Sequence, residues 1–142
     1  FQTSIDIGID AYLPERYVAD SAQRINIYKK ISSIETLEDK MEITDELIDR
    51  YGDLPTAAKN VVEIGYVKAC ARNAGISEIA ERGKWLNIKF GSVDVSVLLG
   101  LAQSNPSKYK LVPGDVPQMN IRLDSNNKLK EISEIIDLLP QK

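Results

Sequence analysis

Between Glu35 and Asp53 the sequence carries eight carboxylates against two bases, Lys40 and Arg50. A cluster of that density has three chemical uses. It could hold a divalent cation, do general acid–base work, or attract a basic partner. The first two need carboxylates converging from several loops on an enclosed pocket. The spacing here argues against convergence. At about 100° per residue, Leu37, Met41, Thr44, Leu47, Ile48 and Tyr51 fall on one side of a helix. Glu38, Glu42, Asp45, Glu46 and Asp49 fall on the other, with Asp39 at the margin. The pattern predicts a buried apolar stripe backed by a continuous acidic face.

That face is locally unfavourable. Glu42–Asp45, Glu42–Glu46, Asp45–Asp49 and Glu46–Asp49 are like-charge pairs at i,i+3 or i,i+4, each costing about 0.2–0.5 kcal/mol. Asp45, Glu46 and Asp49 also sit toward the helix C-terminus, where the macrodipole disfavours anions. Two readings stand: a solvated face, or a docking surface for a basic partner built from Glu42, Asp45, Glu46 and Asp49.

Other chemistry is sparse. The 142 residues include no histidine, which removes the commonest general base and metal ligand, and only one cysteine, so no internal disulfide can form. A reducing compartment follows as the expectation. Cys70, between Ala69 and Ala71, reads as a buried inert thiol. No glycine-rich phosphate loop is present. The chain is therefore expected to be no enzyme by itself and to hold no cofactor or metal. A second binding chemistry comes from Arg82, Lys84, Lys89, Lys108 and Lys110 near Trp85 and Tyr109, which could form a nucleic-acid platform. Against it stands an ordinary mixed surface with Trp85 in the core. The net charge of −3 disfavours strong phosphate binding, but charge is uneven: residues 1–52 carry a net −5 and residues 53–142 a net +2.

The elements that must position these groups follow from periodicity. Ser4–Asp10 alternates apolar and polar, as a half-buried edge strand does. A helix follows from an N-cap near Asp20 to about Ser33, with Ile25, Tyr28 and Ile31 at helical spacing. Thr36 caps the acidic helix, which runs to Tyr51 and stops at Gly52. Pro55 opens a third helix reaching about Asn73, apolar on several sides. Gly65 inside it implies a close helix contact or a tolerated defect. Then come strands at Ile76–Ala80 and Trp85–Phe90, a short helix capped by Ser92 or Asp94, strands at Tyr109–Val112 and Met119–Leu123, and a terminal helix with Leu129, Ile132, Ile136 and Leu139 on one face. The expected class is α+β: an N-terminal strand and three helices, followed by a ββαββα lobe. It is expected to form one regulatory domain over residues 1–142, with a mainly helical lobe at 1–75 and an α+β lobe at 76–142. The opening Phe1-Gln2-Thr3-Ser4 lacks methionine and reads as a cut from a longer chain. No apolar run reaches the ~20 residues of a membrane span.

Three segments carry a family resemblance. They are Asp10-Ala11-Tyr12-Leu13-Pro14-Glu15-Arg16-Tyr17-Val18, Arg24-Ile25-Asn26-Ile27-Tyr28-Lys29-Lys30-Ile31, and Glu46-Leu47-Ile48-Asp49-Arg50-Tyr51-Gly52-Asp53-Leu54-Pro55. Together they resemble the C-terminal domain of the bacterial transcription-repair coupling factors (Mfd). The likeness is strong over residues 10–79 and weaker beyond. What it implies is a regulatory, non-catalytic domain of a cytoplasmic, ATP-dependent DNA translocase, whose ATP and Mg sites lie in motor domains elsewhere in the parent chain. That parent acts on RNA polymerase and DNA in transcription-coupled nucleotide excision repair. The resemblance further implies that the domain docks on a UvrB-like module of the same chain and masks the surface that UvrA would bind, with Glu46 and Asp49 facing basic residues. Tyr51 departs from the usual phenylalanine but keeps an aromatic. The alternative remains an accessory nucleic-acid-binding module using Trp85, Lys84 and Lys89.

Overall fold

The computed structural model describes residues 2–141, and the chain divides into two compact units, Ile9–Ala69 and Phe1–Gly8 with Cys70–Lys142.

The Ile9–Ala69 unit is helical. Helix α1 spans Ser21–Ser32, α2 Leu37–Tyr51 and α3 Thr56–Asn73. Each start has a chemical cause. The Asp20 carboxylate accepts from the Gln23 N–H at 2.9 Å. Thr36 and Asp39 form a reciprocal capping box, the Thr36 hydroxyl accepting from the Asp39 N–H and the Asp39 carboxylate from the Thr36 N–H, both at 3.1 Å. The Asp39 carboxyl is held below its usual range by the N–H groups of Glu35 and Thr36. α2 stops at Gly52, whose φ of 86° favours glycine. The core gathers Leu13, Val18, Ile27, Ile31, Ile34, Leu47, Leu54, Ala58 and Val62. Tyr17 ties the C-terminal end of α2 to this core: its hydroxyl donates to the Gly52 carbonyl at 2.8 Å, and its ring lies 5.7 Å from that of Tyr51.

Two apolar stripes differ from the sequence expectation. In α1 the inward residues are Ile27 and Ile31, while Ile25 and Tyr28 are exposed. In α2 only Leu47 is fully buried, flanked by half-buried Ile43 and Tyr51; Leu37, Met41 and Ile48 are 51%, 55% and 44% exposed. The inward line is thus Ile43–Leu47–Tyr51, turned by about 70° from the predicted stripe. The sequence wheel takes the centroid of all apolar side chains, whereas the fold selects the subset that meets a neighbouring helix.

The other unit is a five-stranded sheet in the order β1-β2-β3-β5-β4, with β1 Ser4–Asp6, β2 Ile76–Arg82, β3 Trp85–Phe90, β4 Tyr109–Val112 and β5 Gln118–Arg122. β1 runs parallel to β2; every other neighbour is antiparallel. Helix α4 (Val95–Ser104) links β3 to β4, and α5 (Lys128–Asp137) follows β5. Asp94 caps α4 by accepting from the Ser96 N–H at 3.0 Å. Leu86, Ile88 and Phe90 alternate along β3 with Trp85, Asn87 and Lys89, so one sheet face is buried and the other half-open. The buried side includes Ile76, Ile79, Met119 and Ile121, with Leu98 of α4 and Ile132, Ile135 and Ile136 of α5 also buried.

The α+β class and element order match expectation, with one shortened strand and one reassignment. β1 ends at Asp6, not Asp10, because Gly8 is committed elsewhere. Its N–H donates to Glu81 Oε1 at 2.7 Å and its carbonyl accepts from Lys128 Nζ at 3.0 Å. The same pairing with β2 puts β1 in the sheet unit, whereas the sequence reading places it with the helices. Among the described residues, no helix is long and apolar enough to cross a membrane.

Candidate functional site: the outer face of α2

The rotation of α2 decides which acids face out. With Leu47 pointing inward, the residues opposite it on the wheel are Glu38, Asp45, Asp49 and Glu42. All four are exposed, and Glu42, Asp45 and Asp49 form no ion pair with any described residue. Three neighbouring carboxylates without an intradomain counter-charge project a negative field into solvent.

Glu46 is placed differently. It lies on the flank of α2 nearer α1, where Lys30 Nζ reaches its Oε1 at 2.9 Å and Oε2 at 3.0 Å; Arg50 Nη1 reaches Oε2 at 3.1 Å. The Lys30 hydrogen bond, reinforced by Arg50, holds the Glu46 carboxyl below the usual glutamate range. Arg50 also lies 5.0 Å from the centre of the Tyr51 ring. So the four candidates do not act alike. Glu42, Asp45 and Asp49 offer free charge, and Glu46 is already bridged.

The bridge has a pH signature. A depressed carboxylate contributes stability that is present above its unfolded value of about 4.3 and is lost as pH falls through the folded value. Both partners are substantially exposed, so the contribution is about 0.2–1 kcal/mol. Glu46→Gln is expected to be less stable than the parent by that amount at neutral pH, with the gap narrowing as pH falls below the usual glutamate range, read from urea unfolding at neutral and acid pH. A gap of unchanged size in acid would mean that the bridge carries no stability.

On the opposite flank of α2 run Leu37, Met41 and Ile48, spaced so that they share one stripe beside the acids. Ile48 also lines a shallow groove with Leu54, Val62 and the Lys40–Glu63 ion pair. The helical periodicity predicts that this stripe is buried, and the structure leaves it exposed. The signal that could have corrected it is the second apolar line, Ile43–Leu47–Tyr51, at i, i+4, i+8.

The basic candidates of the sheet unit separate as well. Arg82, Trp85, Lys89 and Lys110 share the half-open face by register, while Tyr109 is paired with the buried Ile121. Lys108 is bound to Asp124, with Glu131 3.9 Å away, and Lys84 sits in the β2–β3 turn. Trp85 is half-exposed, not core. Cys70 is likewise not fully buried. Among the described residues, no group of three or more His, Cys, Asp or Glu is placed to hold a metal ion.

A model of the TRCF domain matches residues 7–97, which contain the whole of α1, α2 and α3 and the acidic face. The chain belongs to the TRCF domain family. It is 38% identical over 87 residues, 61% of its length, to a transcription-repair-coupling factor of Staphylococcus aureus (strain USA300), and 38% identical over 81 residues, 57% of its length, to that of Bacillus subtilis (strain 168). Each match takes in 7% of the relative's length, so the chain corresponds to a small part of those proteins. The fold is that of a crystal structure of the C-terminal domain of a transcription-repair coupling factor, with a TM-score of 0.82 at 22% identity, covering 96% of this chain and 89% of the other. The TRCF fold therefore extends past residue 97, where the family model stops.

Proposed function

We propose that this TRCF domain is a regulatory docking module. Through the outer face of α2 it packs on a basic, UvrB-like module of its own parent protein and masks a surface for UvrA, restraining recruitment in transcription-coupled nucleotide excision repair until the contact opens. The parent would be an ATP-dependent DNA translocase that engages RNA polymerase. The observation that supports this reading is the juxtaposition on one short helix of three carboxylates lacking an ion pair and an exposed apolar stripe. A solvated face explains the acids; the stripe of Leu37, Met41 and Ile48, about half exposed, supports a covered face instead.

The energetics suit a switch. Each rim ion pair contributes about 0.2–1 kcal/mol, so the contact closes through the high effective concentration of a tethered partner, not through intrinsic affinity. Glu46 would join only by exchanging Lys30 or Arg50 for a partner cation.

The test is Asp45→Lys with Asp49→Lys in the full-length parent protein. Both positions are solvent-facing, so the fold is kept. UvrA binding by the variant is expected to rise between about two- and thirtyfold, the range two such pairs convert to. Met41→Ser with Ile48→Ser is expected to act in the same direction. Recruitment unchanged in both variants would sink the proposal. Salt-sensitive NMR shifts centred on Glu42–Asp49, on adding the UvrB-like module to the labelled domain, would locate the contact independently.

A further inference from the structure

The half-open face of the sheet carries a second, chemically different arrangement. In register across three adjacent strands stand Arg82 of β2, Trp85 of β3 and Arg122 of β5. Strands lie about 4.8 Å apart, so the two guanidinium-bearing positions flank the indole across about 10 Å. One row further along stand Asn87, Asn120 and Lys110. Asn87 Nδ2 donates to Asn120 Oδ1 at 2.9 Å and to Gln118 Oε1 at 3.2 Å, forming an amide ladder along the floor of a shallow concavity. Arg82 and Arg122 are exposed and make no ion pair with any described residue, and Lys110 Nζ meets only the Pro106 carbonyl at 3.3 Å. Lys89 is held by Glu78 at 3.3 Å. The face's two anions, Glu78 and Asp6, both lie at its β1–β2 margin. The opposite margin is cationic, in a chain whose net charge is −3.

We propose that this sheet face, centred on Trp85 between Arg82 and Arg122, binds single-stranded nucleic acid. The indole offers a stacking surface that any base can use, the arginines and Lys110 take backbone phosphates, and the amide ladder presents donors and acceptors to base edges. An acidic peptide would use the cations but leave the indole and the amides without a role. A duplex hides its base faces from Trp85.

Trp85 is the only tryptophan in the chain, so it reports its own occupancy. Titrating the 142-residue chain with a short oligothymidylate at low salt is expected to quench Trp85 emission saturably. Three phosphate contacts predict a slope of about −2 in log K against log salt. Arg82→Glu with Arg122→Glu, both at exposed positions and checked by circular dichroism, is expected to weaken binding about tenfold or more. Trp85→Phe, followed by anisotropy of a labelled oligonucleotide, is expected to retain part of the affinity. Absence of quenching, equal affinity in the double arginine variant, or tighter binding of polyglutamate than of oligothymidylate would each overturn the proposal, the last by assigning the face to an acidic protein.

Discussion

Leu47→Ala is expected to cost the helical unit about 2–5 kcal/mol, the range for truncating a fully buried leucine. Leu47 is 1% exposed and is the only fully buried side chain of α2. Its neighbours on the inward line, Ile43 and Tyr51, are only half-buried and cannot close the gap. The loss should therefore fall on the attachment of α2. Hydrogen exchange is expected to accelerate along Leu37–Tyr51 more than along α1 or α3. The variant also separates two ways of losing the proposed docking face. Charge reversal at Asp45 and Asp49 removes the field and keeps the helix seated; Leu47→Ala keeps every carboxylate and unseats the helix. Unfolding free energies within 1 kcal/mol of the parent would mean that α2 is held by its cap and ion pairs instead.

The same substitution at two glycines is expected to act with opposite sign. A Cβ on Gly65 of α3 would stand 2.8 Å from Ile31 Cγ2 and 2.9 Å from the Ile31 carbonyl oxygen. The methyl group could shift, but the backbone oxygen at the end of α1 has nowhere to go. Overpacking of about 1–3 kcal/mol outweighs the roughly 1 kcal/mol that alanine gains over glycine in a helix, so Gly65→Ala is a net loss. In α4 a Cβ on Gly100 would meet nothing within 4 Å, so Gly100→Ala keeps the propensity gain of about 1 kcal/mol. Thermal melts of the two variants should move apart, one below the parent and one above. A stabilised Gly65→Ala would show that α1 and α3 can separate at no cost.

Gly65 illustrates what the sequence could convey. A helix-interior glycine signals either a close contact or a defect, and only the position of Ile31 decides between them. Caps and turns were legible because their chemistry is local: Asp20, Thr36, Gly52 and Asp94 each act within a few residues of themselves. β3 and β4 were legible to the residue from alternation between turn signals. The orientation of α2 was not, because two apolar lines compete on one helix and the choice depends on what packs against it. For the same reason Glu46 was grouped with Asp49. Its bridge to Lys30, sixteen residues away, has no local signature. Arg122 escaped notice as a neighbour of Trp85 because strand register is a tertiary fact: β5 reaches β3 only by passing over α4 and β4 in the sequence.

The placement of β1 beside β2 has a consequence for the order of events during synthesis. Ser4 pairs opposite Glu78, and the whole helical unit lies between them in the chain. A ribosome that has just released β1 must make three helices before β2 exists. At about 5–20 residues per second, β1 waits several seconds for that partner. The helices, whose contacts are close in sequence, need no such wait. Only three residues of parallel ladder then compensate for closing so long a loop, so that ladder zips last and opens first. Gly8, gripped by Glu81 and Lys128, acts as the latch that fastens the returning end.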